Sequence, residues 1–518
     1  MPAGSIFKIQ TRCQQHTYSF RTSHQLYTRM NLTNSTKSKA FIDYYLPIFL
    51  ISLSFFWKLI YIQQNDICMD EPFTIFNAQK SLIDVIKISL QGEPNPPLYM
   101  ILLHFWIKLF GIGPFAVRFL SLIFNAFTVL FLYNTGKRFF NVWTGITASL
   151  LFVFSTLHFY HAIESRTYSL LSLETAASLY FFLRFTKNTN DRTALTGLII
   201  SNILMIYSHY FGWFVVFSQG ITSLIYLKKT FKANLKIIYP FLGTIIGFLP
   251  MVPVIIRQFG KSSKGTWLNP PKSIDFINTL YLFLNHKVVI WIIITIISTG
   301  VIFFVGTLIR RKYTPFKKEI VVLLIWWLAP FCIMYFVSTK IPMFNVRYVL
   351  FNTIGLYIFI AVLINYLFQN HRILHPIGSF IILFSMCYYM KILPKEYSYR
   401  EVSKAVEFAK KYETNNSIYI IWPVWTDFQF NYYYNQEIFK DYQNYYKTNL
   451  KHGIYRVWGL PNTKTVVRNN PDKRIIYIQD GVIKDPNENI ETYLDSTYSI
   501  VQQSFFPQTI KVMVYDPI

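Results

Sequence analysis

Runs of mostly apolar residues, each near the ~20 needed to cross a bilayer as a helix, recur along the chain. They lie at 43–63, 117–136, 142–161, 168–185, 194–210, 212–227, 237–256, 288–309, 320–338, 348–367 and 373–390. The pattern predicts an all-α polytopic membrane bundle of about 11 transmembrane helices over 43–390. One further apolar run, 97–110 (PLYMILLHFWIKLF), is too short to span. A run of that length is expected to lie flat at the membrane surface, after an amphipathic helix near 72–90. The loop 64–116 is therefore long and structured. Beyond 390 the pattern changes. Residues 401–412 read as a helix with Val402, Val406 and Phe408–Ala409 on one face. Ser417–Trp422, Arg474–Gln479 and Thr509–Tyr515 read as strands, and Tyr432–Tyr434 as part of a packed helix between them. Residues 391–518 are thus a small C-terminal α/β domain. No internal repeat and no low-complexity tract is present.

Charge sets the expected orientation. Lys137–Arg138, Lys187 with Arg192, Lys228 to Lys236, Arg310 to Lys318, and His371–Arg372 fall in alternate gaps between spans. Basic loops stay on the cytoplasmic side. The basic segment 1–42 is then cytoplasmic, and the loops 64–116, 162–167, 257–287 and 339–347, with the turn near 210, face out. The α/β domain is extracytoplasmic as well. Residues 1–40 are polar and basic without an apolar core, so no cleavable signal peptide is expected, and the first span acts as a signal anchor. Met30 is an alternative start.

Composition agrees with a multi-pass membrane protein. Hydrophobic residues make up 53% of the chain and charged residues 14%, against about 25% charged in soluble domains. The net charge is +25, and the Lys and Arg residues fall mostly in short gaps between spans, which speaks for membrane lipids rather than nucleic acid as partner. The four cysteines, Cys13, Cys68, Cys332 and Cys387, show no metal-ligand spacing. No structural disulfide is expected, and Cys68 should face outside alone.

Candidate chemistry gathers on the expected outer face. Asp70–Glu71 follows the first span. Adjacent carboxylates there suit a helix start, with Pro72 at the first helical position, and equally suit a catalytic acid or base. At the outer end of the third span stand His158, His161, Glu164, Arg166 and Tyr168. Glu164 and Arg166 are two residues apart, so they do not face each other on a helix. Arg118 and Arg347–Tyr348 open the second and tenth spans. Each arginine suits snorkelling to headgroups or a phosphate clamp. His209 ends the fifth span and reads as a packing residue or a ligand contact. Asn95–Pro96–Pro97–Leu98–Tyr99 is a rigid lead into the surface helix. No GxxxxGK[ST], HExxH, GxSxG or GxGxxG motif occurs in a fitting context.

In order, Asp70–Glu71, PPLY at 96–99, Leu109–Phe110–Gly111, Val117–Arg118–Phe119, Gly136–Lys137–Arg138–Phe139–Phe140 and Glu164–Ser165–Arg166–Thr167–Tyr168 resemble the GT-C superfamily of membrane glycosyltransferases. The likeness is to bacterial relatives of the protein O-mannosyltransferases and the lipid A aminoarabinose transferases. One departure is Asn95, where the aminoarabinose transferases carry a lysine beside the proline. The resemblance implies a GT-C fold and a polyprenyl-phosphate sugar donor, with a lipid, glycan or protein acceptor. It implies that Asp70 is the general base, with Glu71 beside it and Glu164 as the acid of the next outer loop. Arg118, Arg166 and Arg347 become the donor-phosphate candidates, and Tyr99, His161, Tyr168, His209 and Tyr348 the substrate contacts. No cofactor is expected to be required; a divalent metal held by Asp70 and Glu164 is the alternative. Two other functions fit a chain of this class. A transporter or lipid flippase would show repeats and mid-membrane charges, and a non-catalytic assembly partner would act through residues 391–518.

Overall fold

The structure, a computed structural model, describes residues 40–91, 95–227, 231–262, 268–309, 317–369, 371, 373–392, 400–481, 489–507 and 510–518. The expectations for residues 1–39, with Cys13 and Met30, and for the basic positions at 228–230, 310–316 and 372 lie outside these residues.

All eleven apolar runs are helical. Five are single helices long and apolar enough to cross a membrane: Phe41–Leu59, Pro114–Phe139, Leu235–Arg257, Lys287–Thr307 and Lys318–Ser338. The third run is a bent pair, Val142–Val153 and Thr156–Ala162, at 65°. A break inside a membrane frees backbone groups that must find partners. Asn285 supplies them, accepting from the Thr156 amide at 2.8 Å and donating to the Phe154 carbonyl at 2.7 Å. The remaining five runs form Tyr168–Lys187, Arg192–Ser208, Gly212–Tyr226, Asn352–Leu367 and Leu374–Tyr388. Tyr168–Lys187 is polar because it packs on protein. Its Ser169, Ser172, Glu174, Thr175 and Ser178 are all buried, and Ser178, Asn202 and Gln219 bond one another across three helices.

Two helices cross with almost no side chain between them. A Cβ on Gly136 would stand 2.4 Å from the Gly145 nitrogen, and one on Gly145 would stand 2.5 Å from the Tyr133 carbonyl. Glycine is therefore required on both sides of this hairpin.

The basic gaps gather at one end of the bundle. Lys137 pairs with Asp43 at 2.9 Å and Lys187 with Glu319 at 3.2 Å. Lys317 donates to the Phe139 carbonyl and Lys318 to that of Ile225. The 64–116 loop, residues 162–167, the short 3-10 helix Val346–Tyr348 and the C-terminal domain meet one another at the other end, as the contacts below document.

The 64–116 loop departs from expectation in two ways. The helix expected over 72–90 is two helices, Glu71–Ala78 and Leu82–Gln91. Cys68, expected to face outside, is buried. The short apolar run forms Leu98–Phe110, which buries Tyr99, Met100, Leu103, His104 and Ile107. Phe105, Leu109 and Phe110 stay exposed. Thirteen helical residues span about 20 Å, short of the ~30 Å hydrocarbon core.

The C-terminal domain carries a five-stranded mixed sheet of order β2-β1-β3-β5-β4. Its strands are β1 (Ser417–Trp422), β2 (Ile454–Arg456), β3 (Arg474–Asp480), β4 (Tyr498–Phe506) and β5 (Ile510–Pro517). β1 pairs in parallel with β2 and β3, while β5 is antiparallel to β3 and β4. Strands β2 and β4 escape the sequence pattern because β2 has three residues and β4 is an exposed edge. The helices Val402–Lys411 and Thr426–Tyr434 fall where expected. The domain is not separate from the 64–116 loop: Ile75, Phe76, Tyr99 and Met100 share one apolar core with Phe428, Phe439 and Tyr445.

Candidate active site

Asp70 takes the N-cap position of the helix Glu71–Ala78, but its side chain makes no capping hydrogen bond. Pro72 is at the second helical position, one later than expected. The carboxylate turns instead to two arginines. Arg347 Nη1 donates to Asp70 Oδ2 at 2.7 Å, and Arg166 Nη2 lies 3.7 Å from the same oxygen. Burial acts to raise the Asp70 pKa, and the charges of Arg166 and Arg347 outweigh it, holding the carboxyl below its ordinary value. The side chain remains 37% exposed, so a substrate can reach it.

Both arginines are held in place. Arg347 belongs to Val346–Tyr348, whose amide at Arg347 is capped by the Asn345 side chain at 3.2 Å. Its guanidinium lies 5.2 Å from the centre of the Tyr348 ring. Arg166 Nη1 donates to Thr74 Oγ1 at 2.6 Å. Thr74 is one helical turn beyond Asp70, a placement that sequence analysis overlooked.

Rings surround the pair. Tyr348 lies 5.6 Å from His209, 5.7 Å from Phe211 and 6.5 Å from Tyr168, centre to centre. Tyr168 in turn lies 4.7 Å from His161. His161 Nδ1 is bonded to Glu164 Oε2 at 2.6 Å, and both residues are buried. Of the residues singled out from sequence, Asp70, Arg166, Arg347, Tyr348, Tyr168, His209, His161 and Glu164 thus form one connected site.

Three of the candidates are committed elsewhere. Arg118 is buried, and each of its five N–H groups has an acceptor. Nε and Nη2 grip Glu71 Oε1 and Oε2 at 2.9 and 2.6 Å, and the others reach the carbonyls of Ile62, Asn65 and Asp66. No donor remains for a phosphate, which corrects the expectation for Arg118. Glu71 is correspondingly occupied: it also accepts the Ser165 amide at 2.8 Å. Adjacent carboxylates point to different jobs because successive residues at a helix start face different sides. Tyr99 is buried, not presented to substrate, and its hydroxyl bridges Ser121 and Ser165 at 2.8 and 3.2 Å. Together these bonds lock the Glu164–Thr167 turn onto the start of the second span.

Asp70 and Glu164 are engaged by different partners, Arg347 and His161. Among the described residues no three His, Cys, Asp or Glu side chains converge on a point that could hold a metal ion.

Residues 94–256 match the sequence model of the family described as dolichyl-phosphate-mannose-protein mannosyltransferase. No curated protein matches the chain in sequence. The fold resembles that of ArnT from Cupriavidus metallidurans in the apo state, with TM-score 0.57 and 11% identity, over 90% of this chain and 97% of that one. ArnT bound to undecaprenyl phosphate gives TM-score 0.53 and 10% identity over the same shares.

Proposed function

We propose that this chain is a GT-C-type membrane glycosyltransferase that takes a sugar from a polyprenyl-phosphate donor, a reading supported by the family match over residues 94–256 and by the ArnT-like fold. The acceptor is a hydroxyl of a lipid, glycan or protein, and transfer takes place at the end of the bundle where Asp70 stands. By the basic-loop rule that end is extracytoplasmic, in a bacterial inner membrane.

The observation that carries this reading is the meeting of Asp70, Arg347 and Arg166 at one partly open point. A carboxylate there can take a proton, and two guanidiniums can take a leaving phosphate. The acceptor oxygen attacks the anomeric carbon as its proton passes to Asp70. The bond from that carbon to the phosphate oxygen breaks, and the lipid phosphate departs against Arg347 and Arg166. Among the described residues of the site Asp70 is the partly open carboxylate, while Glu164 is buried against His161, so a single displacement with inversion is the expected course. The donor class draws support from the match over residues 94–256 and from the similar fold bound to undecaprenyl phosphate. No step is assigned to a cofactor.

The test is transfer of radiolabelled sugar from a panel of synthetic polyprenyl-phosphate sugars by membranes holding wild-type or Asp70→Asn protein. Transfer by wild type and a loss of about 10²–10⁴-fold in the variant is expected. Transfer that survives the substitution at equal protein level refutes Asp70 as base. Uptake or lipid flipping in liposomes without any transfer refutes the enzyme and returns the transporter reading.

A further inference from the structure

We infer that Gln429, on the C-terminal domain, is a positioning residue that sets where Asp70 stands, so that this domain is part of the catalytic apparatus. The inference rests on the proposed role of Asp70.

The residue before Asp70 has an unusual backbone. Met69 has φ +58°, a left-handed conformation uncommon for a residue with a side chain. Such conformations persist only where surrounding structure enforces them. The Met69 side chain is 40% exposed and so does little of the enforcing. Three polar contacts to this turn come from the C-terminal domain, beside the bond from Arg118 to the Asp66 carbonyl. Gln429 Oε1 accepts the Met69 amide at 3.4 Å. The Tyr433 hydroxyl accepts the Ile67 amide at 2.5 Å. The Ser403 amide donates to Asp66 Oδ2 at 2.7 Å. Gln429 and Tyr433 are four apart on the helix Thr426–Tyr434, which puts them on one face of it, over the 66–70 turn.

Gln429 is itself oriented. Its Nε2 donates to Asp480 Oδ2 at 2.6 Å. Asp480 receives Arg400 Nη1 at 2.8 and 2.7 Å on its two oxygens. All three side chains are buried. Only an amide serves here, because one end must accept from Met69 and the other must donate to a carboxylate. A glutamate would set two carboxylates against each other. Arg400, Asp480 and Gln429 bond one another within the C-terminal domain, and the bond from the Met69 amide, 360 residues away in sequence, forms once that domain has docked. A displacement of about 1 Å at a catalytic group can lower the rate about 10²-fold, which makes this support consequential.

The experiment uses full-length protein with Tyr433→Phe, Gln429→Glu and the pair Gln429→Glu/Asp480→Asn. Tyr433→Phe keeps the ring and guards against misfolding. The pair restores a donor at 480 opposite an acceptor at 429 and leaves the side-chain oxygen of the introduced asparagine to accept from Arg400, whose counter-charge then sits one side chain further off, at 429. Two readouts are taken: kcat and donor KM for transfer, and amide hydrogen exchange over residues 66–72. Expected are a kcat about tenfold or more lower in each single variant with donor KM within about threefold, faster exchange over 66–72 with the sheet still protected, and, relative to Gln429→Glu, a partial recovery of both in the pair, since Arg400 loses its direct counter-charge there. A kcat within about twofold of wild type with unchanged exchange overturns the inference. So does a joint fall of kcat, donor affinity and sheet protection, which would mark general unfolding. If wild type transfers no sugar, the proposed function fails, while exchange over 66–72 still decides whether Gln429 holds the turn.

Discussion

Arg347 reaches across 277 residues of sequence to place Nη1 2.7 Å from Asp70 Oδ2. The contact joins the loop after the first span to the start of the tenth. It gives the carboxylate a partner that a donor phosphate would compete for. If Asp70 is the base, as proposed, this contact restrains it until a donor phosphate draws the guanidinium away.

The pH profile of transfer should register that restraint. Arg166 and Arg347 keep Asp70 ionised below its ordinary range, so the acidic limb of kcat/KM should lie below about 3.9, the unperturbed value. Removing one cation raises the carboxyl pKa, and Arg166→Gln should move the limb upward. A limb that stays in place in the variant would show that another group titrates.

Glu71 and Asp70 are neighbours with separable roles. Glu71→Gln leaves the buried Arg118 guanidinium without its counter-charge, a loss of about 3–5 kcal/mol for a broken buried pair. Thermal unfolding in detergent should show a clearly lower midpoint for Glu71→Gln, while Asp70→Asn stays near wild type and loses activity. Equal midpoints for the two variants would contradict this division.

Gly136→Ala puts a methyl group where the Gly145 backbone stands 2.4 Å away. Backbone on both sides leaves no flexible side chain to move, so overpacking of about 1–3 kcal/mol or more is expected. The yield of folded, monodisperse protein should fall. Gly220→Ala is the control, since nothing lies within 4 Å of a Cβ there, and its yield should be unchanged.

Asp427 carries the opposite pH signature from Asp70. Burial, only partly offset by Arg456 at 3.8 Å, pushes its carboxyl up to about 7. Between the unfolded value near 3.8 and about 7 the folded state holds the proton more tightly, so stability falls as pH rises through this window. Above it the penalty is complete, on the order of 4 kcal/mol. Asp427→Asn should therefore stabilise the C-terminal domain at pH 8 and give no such gain at pH 4, as read by denaturant unfolding of the full chain at the two pH values. Equal effects at both pH values would refute the assignment.

Much of the fold was legible along the chain because a bilayer imposes a length and an apolar composition on every crossing segment. All eleven runs emerged as helices for that reason, and the lone short run at 97–110 emerged as a helix too short to cross. Strands β1, β3 and β5 were legible because each carries a dense run of buried Ile, Val and Tyr. Strand β4 was not, since an exposed edge selects no apolar pattern.

The candidate site was legible as a set of residues and illegible as a set of roles. Acids and bases at span ends were visible one by one, and charge alternation put Asp70, Glu164, Arg166 and Arg347 on one face. Which arginine meets which carboxylate is a matter of angstroms between segments far apart in sequence. Arg118 and Arg347 read alike at the openings of their spans, yet packing closes all five donors of Arg118 on Glu71 and three carbonyls and brings Arg347 to the partly open Asp70. Gln429 carried no signal, because a lone glutamine on a helix becomes meaningful only when folding of the domain brings Asp480 to one end and docking brings Met69 to the other. Hydrophobic length and charge alternation act locally or over whole segments, so they are written in the order of residues. Hydrogen-bond partners are settled by directional contacts across the packed core, so they exist only in three dimensions.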